Sequence, residues 1–242
     1  MPCPYRFLIL IDGGEDMNEL MNLYENYWDN IIELKRKYPE LSNPLLIDIS
    51  DSYLKQKVKL FIVGKQTNGW LIKELGFSED LTHIDKLTER YREFKFGLNY
   101  RNKPFWSVVR KIAKRLIIDI DKEGNIVWSN LNRMDYNSKR PSKEIERLLY
   151  EKLPLLPEEI RIAKPDLIIF FTGPDFDYII NVLFNNPEMT PFPGKEIRKL
   201  AKVSLKGYNL KAYRTYHPDH LRPQKLENEF IDLIIEDFKK CI

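Results

Sequence analysis

The chain has 242 residues, of which 43% are hydrophobic and 31% are charged, and its net charge is +3. This composition is typical of a soluble globular protein with a sizeable core. The small positive charge permits a nucleic-acid partner but excludes a protein that binds nucleic acid by charge alone, because such proteins are far more basic.

The two cysteines, Cys3 and Cys241, lie near the two ends of the chain. Because no Cys-x-x-Cys pair or Cys/His cluster exists, a cysteine-held zinc site or iron–sulfur cluster is excluded, and we expect no metal and no cofactor. We favour a reduced, cytoplasmic chain over a disulfide between the ends. The apolar run near the start is too short for a signal peptide or a membrane span, and we predict no contact with a membrane.

The first half of the chain predicts amphipathic helices around one buried strand. Asp16 is placed to cap the first helix, and the strand ends at Gly64, which opens a tight loop. In chain order the predicted elements are a helix over residues 17–38, a strand over 58–63, and helices over 85–95 and 104–116.

The second half alternates strands and helices. Ser142 is a typical N-cap residue, and Trp106 and Trp128 are predicted to lie in the core. In chain order the predicted elements are a turn at residues 121–125, a strand at 126–130, a helix after Ser142, a helix at 157–163, a strand at 165–171, a helix at 176–184, a strand at 210–216 and a helix at 224–240.

Short apolar strands that alternate with helices predict an α/β fold with a short, mostly parallel, four-stranded sheet covered on both faces. No linker divides the chain. We therefore predict a single domain over residues 1–242, in which residues 1–50 form a helical N-terminal extension.

Polar residues follow the end of each predicted strand. In open parallel sheets, ligands bind beyond the carboxyl ends of the strands, so these residues are expected to meet at one edge. Because Pro218 biases the residue before it toward extended geometry, His217 should project from a stiff strand end. The four ends are Gly64-Lys65-Gln66-Thr67-Asn68, then Asn130 with Asn132, Arg133 and Asp135, then Thr172-Gly173-Pro174-Asp175, and finally His217-Pro218-Asp219-His220.

Five segments, taken in order over residues 57–242, resemble motifs of the uracil-DNA glycosylase superfamily. The resemblance implies a three-layer α/β/α sandwich. The segments are Val63-Gly64-Lys65-Gln66-Thr67-Asn68, Pro104-Phe105-Trp106, Trp128-Ser129-Asn130-Leu131, the strand over residues 162–173, and Thr215-Tyr216-His217-Pro218 with its trailing Arg222.

The resemblance implies that a base flipped out of DNA is bound at this edge. Asn130 would hydrogen-bond the Watson–Crick edge of a pyrimidine, because an amide offers both a donor and an acceptor. Gly64, Lys65 and Asn68 would contribute to the base pocket. An aromatic ring would stack on the base, and the choices are Phe77, Phe105 and Trp70, of which we favour Phe105.

The resemblance also assigns catalytic and phosphate-binding residues. His217 would stabilise negative charge on the leaving base. Gln66 occupies the water-positioning place, where it can hydrogen-bond a water but cannot take its proton, and Asn68, Asp135 and Asp175 are the nearby substitutes. The cations placed to hold DNA phosphates are Lys139, Arg140, Lys143, Arg222 and Lys225.

Several of these residues also have a structural interpretation. His217 could be a strand-end histidine satisfied by the backbone, Asn130 could cap a turn, and residues 139–143 could form a solvated loop. We interpret the other two histidines, His83 and His220, as surface residues.

The sequence therefore predicts a glycosylase-like hydrolase that cleaves the N-glycosidic bond of a flipped, uracil-like base in DNA or in a related nucleoside. One alternative is an inactive relative that binds nucleic acid or a nucleobase. Another is an unrelated doubly wound protein that binds a nucleotide, which predicts that Asn130 and His217 point away from Gly64.

Overall fold

A computed structural model of the chain describes residues 13–120 and 124–240, with side chains from residue 18 onward. Cys3, Cys241 and most of the turn predicted at residues 121–125 lie outside the described residues. Asp16 lies inside the first helix, not at its start, so its prediction as a cap is wrong.

The helices mostly follow the predicted segments, and Ser142 caps its helix by accepting from the N–H of Ile145. Short 3-10 turns occur at Leu98–Tyr100 and Pro174–Phe176. The helices are α1 (Gly13–Asn26), α2 (Trp28–Lys37), α3 (Asp51–Leu54), α4 (Thr82–Glu93), α5 (Pro104–Arg115), α6 (Lys143–Lys152), α7 (Leu155–Ala163), α8 (Asp177–Leu183), α9 (Pro218–Leu221) and α10 (Glu227–Lys239).

A single mixed sheet of six strands lies at the centre of the protein, in the order β2-β1-β3-β6-β5-β4. The first four strands in this order run parallel, and β5 and β4 add an antiparallel hairpin at one edge. The strands are β1 (Leu60–Gln66), β2 (Val127–Asn132), β3 (Leu167–Phe170), β4 (Glu188–Pro191), β5 (Leu200–Ser204) and β6 (Lys211–Thr215).

The prediction of a four-stranded sheet is wrong, because the β4–β5 hairpin adds two strands. β1 and β3 were predicted because they contain continuous apolar runs, and residues such as Ile62 and Ile169 are fully buried. β2 and β6 have fewer apolar residues and were predicted with the help of the turn before β2 and of His217-Pro218 after β6. β4 is an edge strand that is mostly exposed and ends in a proline, so it lacks that apolar signal. Lys202 interrupts the apolar pattern of β5.

The described part of the N-terminal segment packs into the same core as the sheet. The helix predicted over residues 17–38 is divided at Tyr27 into α1 and α2. Tyr24 and Ile31 are fully buried, and residues 45–49, which are not helical, are buried as well. The hydroxyl of Tyr24 donates to Glu159 of α7 over 2.8 Å, which ties this segment to the second half of the chain.

Candidate functional site

The sheet brings four strand ends to one edge. β2, β1, β3 and β6 are neighbours and run parallel, so their carboxyl ends meet there, as the sequence predicted. In the register of the sheet, Gly64 lies beside Asn130. We call this edge the rim and define it by Gly64, Lys65, Phe105, Asn130 and His217.

Gly64 is needed at the rim because the side chain of Asn130 lies against it. A Cβ atom on residue 64 would be 2.3 Å from Oδ1 of Asn130 and 3.4 Å from Cε2 of Phe105. Asn130 is 5% exposed, and its side chain has no hydrogen-bond partner within the described residues. Its amide therefore offers both a donor and an acceptor at the edge of the sheet.

His217 begins helix α9 and lies on the ring of Phe105. The two rings stack, with centroids 5.5 Å apart and planes 16° apart. Nδ1 of His217 accepts from the backbone N–H of Asp219 over 3.3 Å, and Pro218 fills the first helical position. Phe105 thus joins His217 to the Gly64–Asn130 contact.

The imidazole of His217 is neutral at physiological pH. Burial lowers its pKa to about 4, the nearby Lys65 ammonium adds to this effect, and Asp219 opposes it. Nδ1 also lies 3.2 Å from Oδ2 of Asp219, but that carboxylate is 66% exposed and solvated by water. Because the backbone N–H always carries a proton, Nδ1 serves as the acceptor and the ring proton resides on Nε2.

Lys65 is half-buried between the ends of several strands. Burial lowers the pKa of its ammonium, and the positive charge of Arg140 acts in the same direction. Asp219 and Asp175 raise this pKa but do not outweigh burial. These charges show that Lys65 shares one electrostatic environment with His217 and with the loops after β3 and β6.

The loop after β1 is held by a buried carboxylate. Asp135 is fully buried and accepts from Thr67 Oγ1 over 2.7 Å, from the N–H of Gly69 over 2.8 Å and from the N–H of Ser138 over 2.7 Å. These bonds direct the carboxylate to the loop, and its role as a substitute for the water-activating residue stays a prediction.

Gln66 and Asn68 are placed on this loop with different exposure. Gln66 is half-buried and pairs with Asn132 in the register of the sheet. Asn68 is exposed. Gln66 is the last residue of β1 and lies at the carboxyl end of the sheet, whereas Asn68 lies in the loop and is exposed to solvent.

Arg133 also turns into the protein. Its guanidinium is 4% exposed and forms a buried ion pair with Glu159, with an Nη1–Oε1 distance of 2.7 Å. The same Nη1 donates to the carbonyl of Leu45 over 2.9 Å. Arg133 follows the end of β2 in sequence, but its charge is neutralised away from the rim.

Arg140 lies in a network that the sequence did not reveal. It donates to both oxygens of Glu146 over 2.8 and 2.9 Å, and its guanidinium carbon lies 4.0 Å from the ring centre of Phe176. Tyr178 and Asn132 also donate to Glu146. Burial disfavours the Glu146 carboxylate, but these hydrogen bonds prevail and lower its pKa, whereas burial and this carboxylate raise the pKa of Tyr178 to about 12.

Glu146 is fully buried and lies in α6 beside the buried Ile145. Charged residues are rarely buried unless paired, so helical periodicity alone would place Glu146 in solvent. Its hydrogen-bond partners are separated from it by up to 32 positions in the chain, and no local sequence pattern predicts them.

The other residues that were predicted to bind phosphates differ in exposure and in ion pairing. Lys139 and Lys143 are exposed, and the side chain of Arg222 is 41% exposed and pairs with Glu227 over 3.0 Å. Lys225 is exposed and adopts a positive φ of 60°. The prediction of phosphate binding by these residues remains a prediction.

Two of the three aromatic residues considered for base stacking pack elsewhere. Phe77 contacts His83 with a centroid distance of 5.5 Å and lines a separate cleft of about 290 Å³. Trp70 packs on Trp128 with centroids 5.8 Å apart. Phe105 is the one that lies at the rim.

The structural predictions for histidine and tryptophan residues have mixed outcomes. His83 is 1% exposed, so its prediction as a surface residue is wrong. It lies in the first turn of α4, and its ring packs beside Trp28 with centroids 6.0 Å apart. His220 is exposed, and Trp106 and Trp128 are buried, as predicted.

Within the side chains that the structure describes, no group of three His, Cys, Asp or Glu residues gathers to hold a metal ion. None of the helices in the described part of the chain is long and apolar enough to cross a membrane. Compared with known proteins, the sequence matches no family model and no characterised protein. The function of the rim is therefore inferred from its own geometry.

Proposed function

We propose that the chain binds a base flipped out of DNA at the rim and hydrolyses its N-glycosidic bond, as members of the uracil-DNA glycosylase superfamily do. The observation that carries this proposal is that the Asn130 amide, which has no partner among the described residues, and the half-buried His217 ring lie on either side of Gly64 and Phe105. The three-layer α/β/α arrangement, a cytoplasmic location and activity without a cofactor belong to the same proposal.

Asn130 is suited to read the base. Its amide donor and acceptor are held against Gly64 with little freedom, and a pyrimidine edge that carries a carbonyl and an adjacent N–H matches both. A polar site that leaves these groups unpaired with the wrong base rejects it strongly. Asn130 therefore gives the site its specificity.

His217 is suited to assist departure of the base. The N–H on Nε2 is a neutral donor fixed by the Nδ1 hydrogen bond and by the ring of Phe105. A fixed donor aimed at developing negative charge needs no reorganisation during the reaction. The leaving base, which departs as an anion, would receive this hydrogen bond.

Exposed cations near the rim are suited to hold the DNA strand. Arg140 is fixed by Glu146 and Phe176, whereas Lys139 and Lys143 remain exposed on the same connection between β2 and α6. Phosphate contacts of this kind position a strand without reading its sequence.

The test is release of a base from oligonucleotides that carry uracil or other altered bases, with enzyme in excess. The wild-type protein is expected to release at least one base, and His217→Ala and Asn130→Ala are expected to lose that release while folding normally by circular dichroism. Failure of the wild-type protein on every substrate would overturn the proposal.

A second function, binding without cleavage, is favoured by two observations. Gln66 cannot take a proton from water, and Asp135 is hydrogen-bonded to Thr67 and Gly69. With no free carboxylate at the water-activating position, the rim could bind a base or a nucleic acid without cleaving it. This function predicts binding that weakens as salt is raised, with no base released. Binding that is absent or independent of salt would exclude it.

The third alternative is an unrelated nucleotide-binding protein, which predicts Asn130 and His217 pointing away from Gly64. Oδ1 of Asn130 lies against Gly64, and Phe105 contacts both Gly64 and His217. This arrangement favours the two base-binding functions.

A further inference from the structure

A second cleft lies beside the loop that follows β1, and none of the residues that define the rim lines it. Its volume is about 290 Å³, close to that of the smallest pockets that bind small molecules. Its walls are the end of α2 with the segment that follows it, residues 72–77 of the loop, and Asn137 from the connection between β2 and α6. Three separate parts of the chain therefore enclose this cleft.

Asn43 fixes the two main walls of the cleft against each other. Its side-chain amide donates to the carbonyls of Leu71 and Leu75 over 3.1 and 2.8 Å. On the third side, the backbone N–H of Asn137 donates to the carbonyl of Glu40 over 3.2 Å. Because these bonds cross between the three segments, the walls are held together without a ligand.

Lys35 brings to the cleft a positive charge that forms no ion pair within the described residues. Its Nζ donates to the carbonyl of Pro39 over 3.2 Å and to that of Leu41. An ammonium has three N–H groups, so one N–H is left without an acceptor in the described part of the chain. Burial lowers the pKa of this half-buried amine, and Glu40 and Asp135 oppose that effect from beyond ion-pair distance. A bound anion would offset the cost of burying the charge.

Apolar residues of the loop after β1 form the wall beside Lys35. The ring centre of Phe77 lies 5.4 Å from Nζ of Lys35, so an apolar surface begins next to the charge. Leu75 is half-buried, and Ile72 is 44% exposed although it lines the cleft. A Cβ atom on Gly76 would meet no atom within 4 Å, which shows open space at this wall. A ligand that covers these apolar side chains would gain free energy by removing them from water.

We propose that this cleft binds a small carboxylic acid whose apolar body is about the size of one aromatic ring. The carboxylate would accept the third N–H of Lys35, and the body would cover Phe77, Leu75 and Ile72. A monoanion fits better than a phosphate, because Lys35 is the one cation among the described lining residues and the exposed Glu40 adds a negative charge. The proposal does not depend on base hydrolysis at the rim.

The experiment is a titration of the protein with phenylacetate, followed by nuclear magnetic resonance of the backbone amides. We expect saturable shifts of the amide signals of Gly76 and Asn137, with a Kd on the order of 1 mM for a ligand of so few atoms. Phenylacetamide has nearly the same shape without the charge. It should bind at least about 10-fold more weakly, because it cannot form the charge-assisted hydrogen bond.

Variants of Lys35 and a matched lysine locate the site. Lys35→Met should weaken phenylacetate binding by at least about 10-fold, whereas Lys35→Arg retains the charge and should retain most of the binding. Lys37→Met removes an exposed charge from the same end of α2 and should bind as the wild type does. Ile72→Asp places a negative charge on the apolar wall at an exposed position. It should also weaken binding, which keeps the test decisive if Lys35→Met does not fold.

Three results would overturn the proposal: no saturable shift with phenylacetate, equal binding of phenylacetamide, or wild-type affinity in the folded variants Lys35→Met and Ile72→Asp. Shifts centred on Gly64 and Asn130 would place the ligand at the rim and would overturn it as well. Base release from oligonucleotides is a separate measurement. Its failure would overturn the proposed function and leave the carboxylate site intact.

Discussion

The rim differs from a second group of polar residues, two of which follow β2 in the chain. This second group, here called the anchor, is buried and consists of Tyr24, Ser42, Arg133, Asp135 and Glu159. In the anchor each polar group is bonded to another protein group, whereas Asn130 at the rim has none within the described residues.

This difference separates structural from functional polar residues. A buried polar group without a partner is costly, so the anchor is satisfied internally and gains nothing from a ligand. The amide of Asn130 and the Nε2–H of His217 keep their hydrogen-bonding capacity, which a ligand can use. The following predictions test this division, from the largest expected effect to the smallest.

Glu159→Ala should destabilise the protein most, by roughly 3–5 kcal/mol, because it leaves the buried Arg133 without its partner. Urea unfolding measures the change in the free energy of unfolding. Glu159→Gln retains the shape and some of the hydrogen bonds and should cost less. Equal, negligible costs for both variants would mean that the anchor does not depend on this ion pair.

His217→Ala should lower the rate of base release by roughly 100- to 1,000-fold, the usual effect of removing a fixed hydrogen-bond donor from a transition state. Stability should change less than for Glu159→Ala, because His217 is half-buried and is not part of a buried ion pair. Initial rates at saturating DNA measure the effect. His220→Ala, a change at an exposed histidine of α9, is the matched control and should keep the wild-type rate.

Asp135→Asn should destabilise the protein by about 1–3 kcal/mol, since an amide cannot accept all the hydrogen bonds that the carboxylate receives. It should also loosen the loop that contains Gln66, because Thr67 and Gly69 lose an acceptor. Hydrogen exchange at the amides of Gly69 and Ser138 measures this loosening. Unchanged exchange at both amides would show that Asp135 does not hold the loop.

Gly64→Ala should cost roughly 1–3 kcal/mol of stability and weaken base binding, because its methyl group would overlap Asn130. Adding Asn130→Gly should restore stability but not binding. Unfolding and fluorescence titration with an oligonucleotide separate the two effects. A double variant that binds as the wild type does would remove Asn130 from the site.

The last prediction concerns the pH dependence of stability. His217 has a pKa of about 4 in the folded protein, below its ordinary value of 6.5, so the unfolded chain binds more protons between these values. The free energy of unfolding should therefore fall as pH decreases from about 6.5 toward 4. The variant His217→Asn lacks this contribution and should show a smaller fall.

Nuclear magnetic resonance can follow the His217 ring directly. Its signals should remain those of the neutral form with the proton on Nε2 until the pH approaches 4. A midpoint near 6.5, or a proton on Nδ1, would contradict the tautomer on which the leaving-group role depends.

The sequence predicts the parallel part of the fold well and its edge poorly. The strands β1 and β3 contain local apolar runs, β2 and β6 lie between turn-forming residues, and the polar ends of all four meet as expected. The β4–β5 hairpin was missed because an exposed edge strand needs little apolar surface. The break between α1 and α2 was missed because the apolar spacing continues through it.

The sequence predicted which strand ends form the candidate site, but not which of the polar side chains there pair with other protein groups. The sequence placed Asn130, Arg133 and Asp135 together, and all three are buried, yet Asn130 has no partner among the described residues and the other two are bonded to distant protein groups. The partners that bury them, Glu159 and Thr67, are 26 and 68 positions away in the chain. No local pattern encodes those distances.

The sequence by itself determined which residues follow the strands and that these strands are parallel, since both depend on short stretches of apolar and turn-forming residues. The tertiary structure alone decided which polar residues pair with one another and which face a ligand. The physical reason is that the cost of burying a charge or an amide depends on the partner that reaches it through space, and that partner comes from a distant part of the chain.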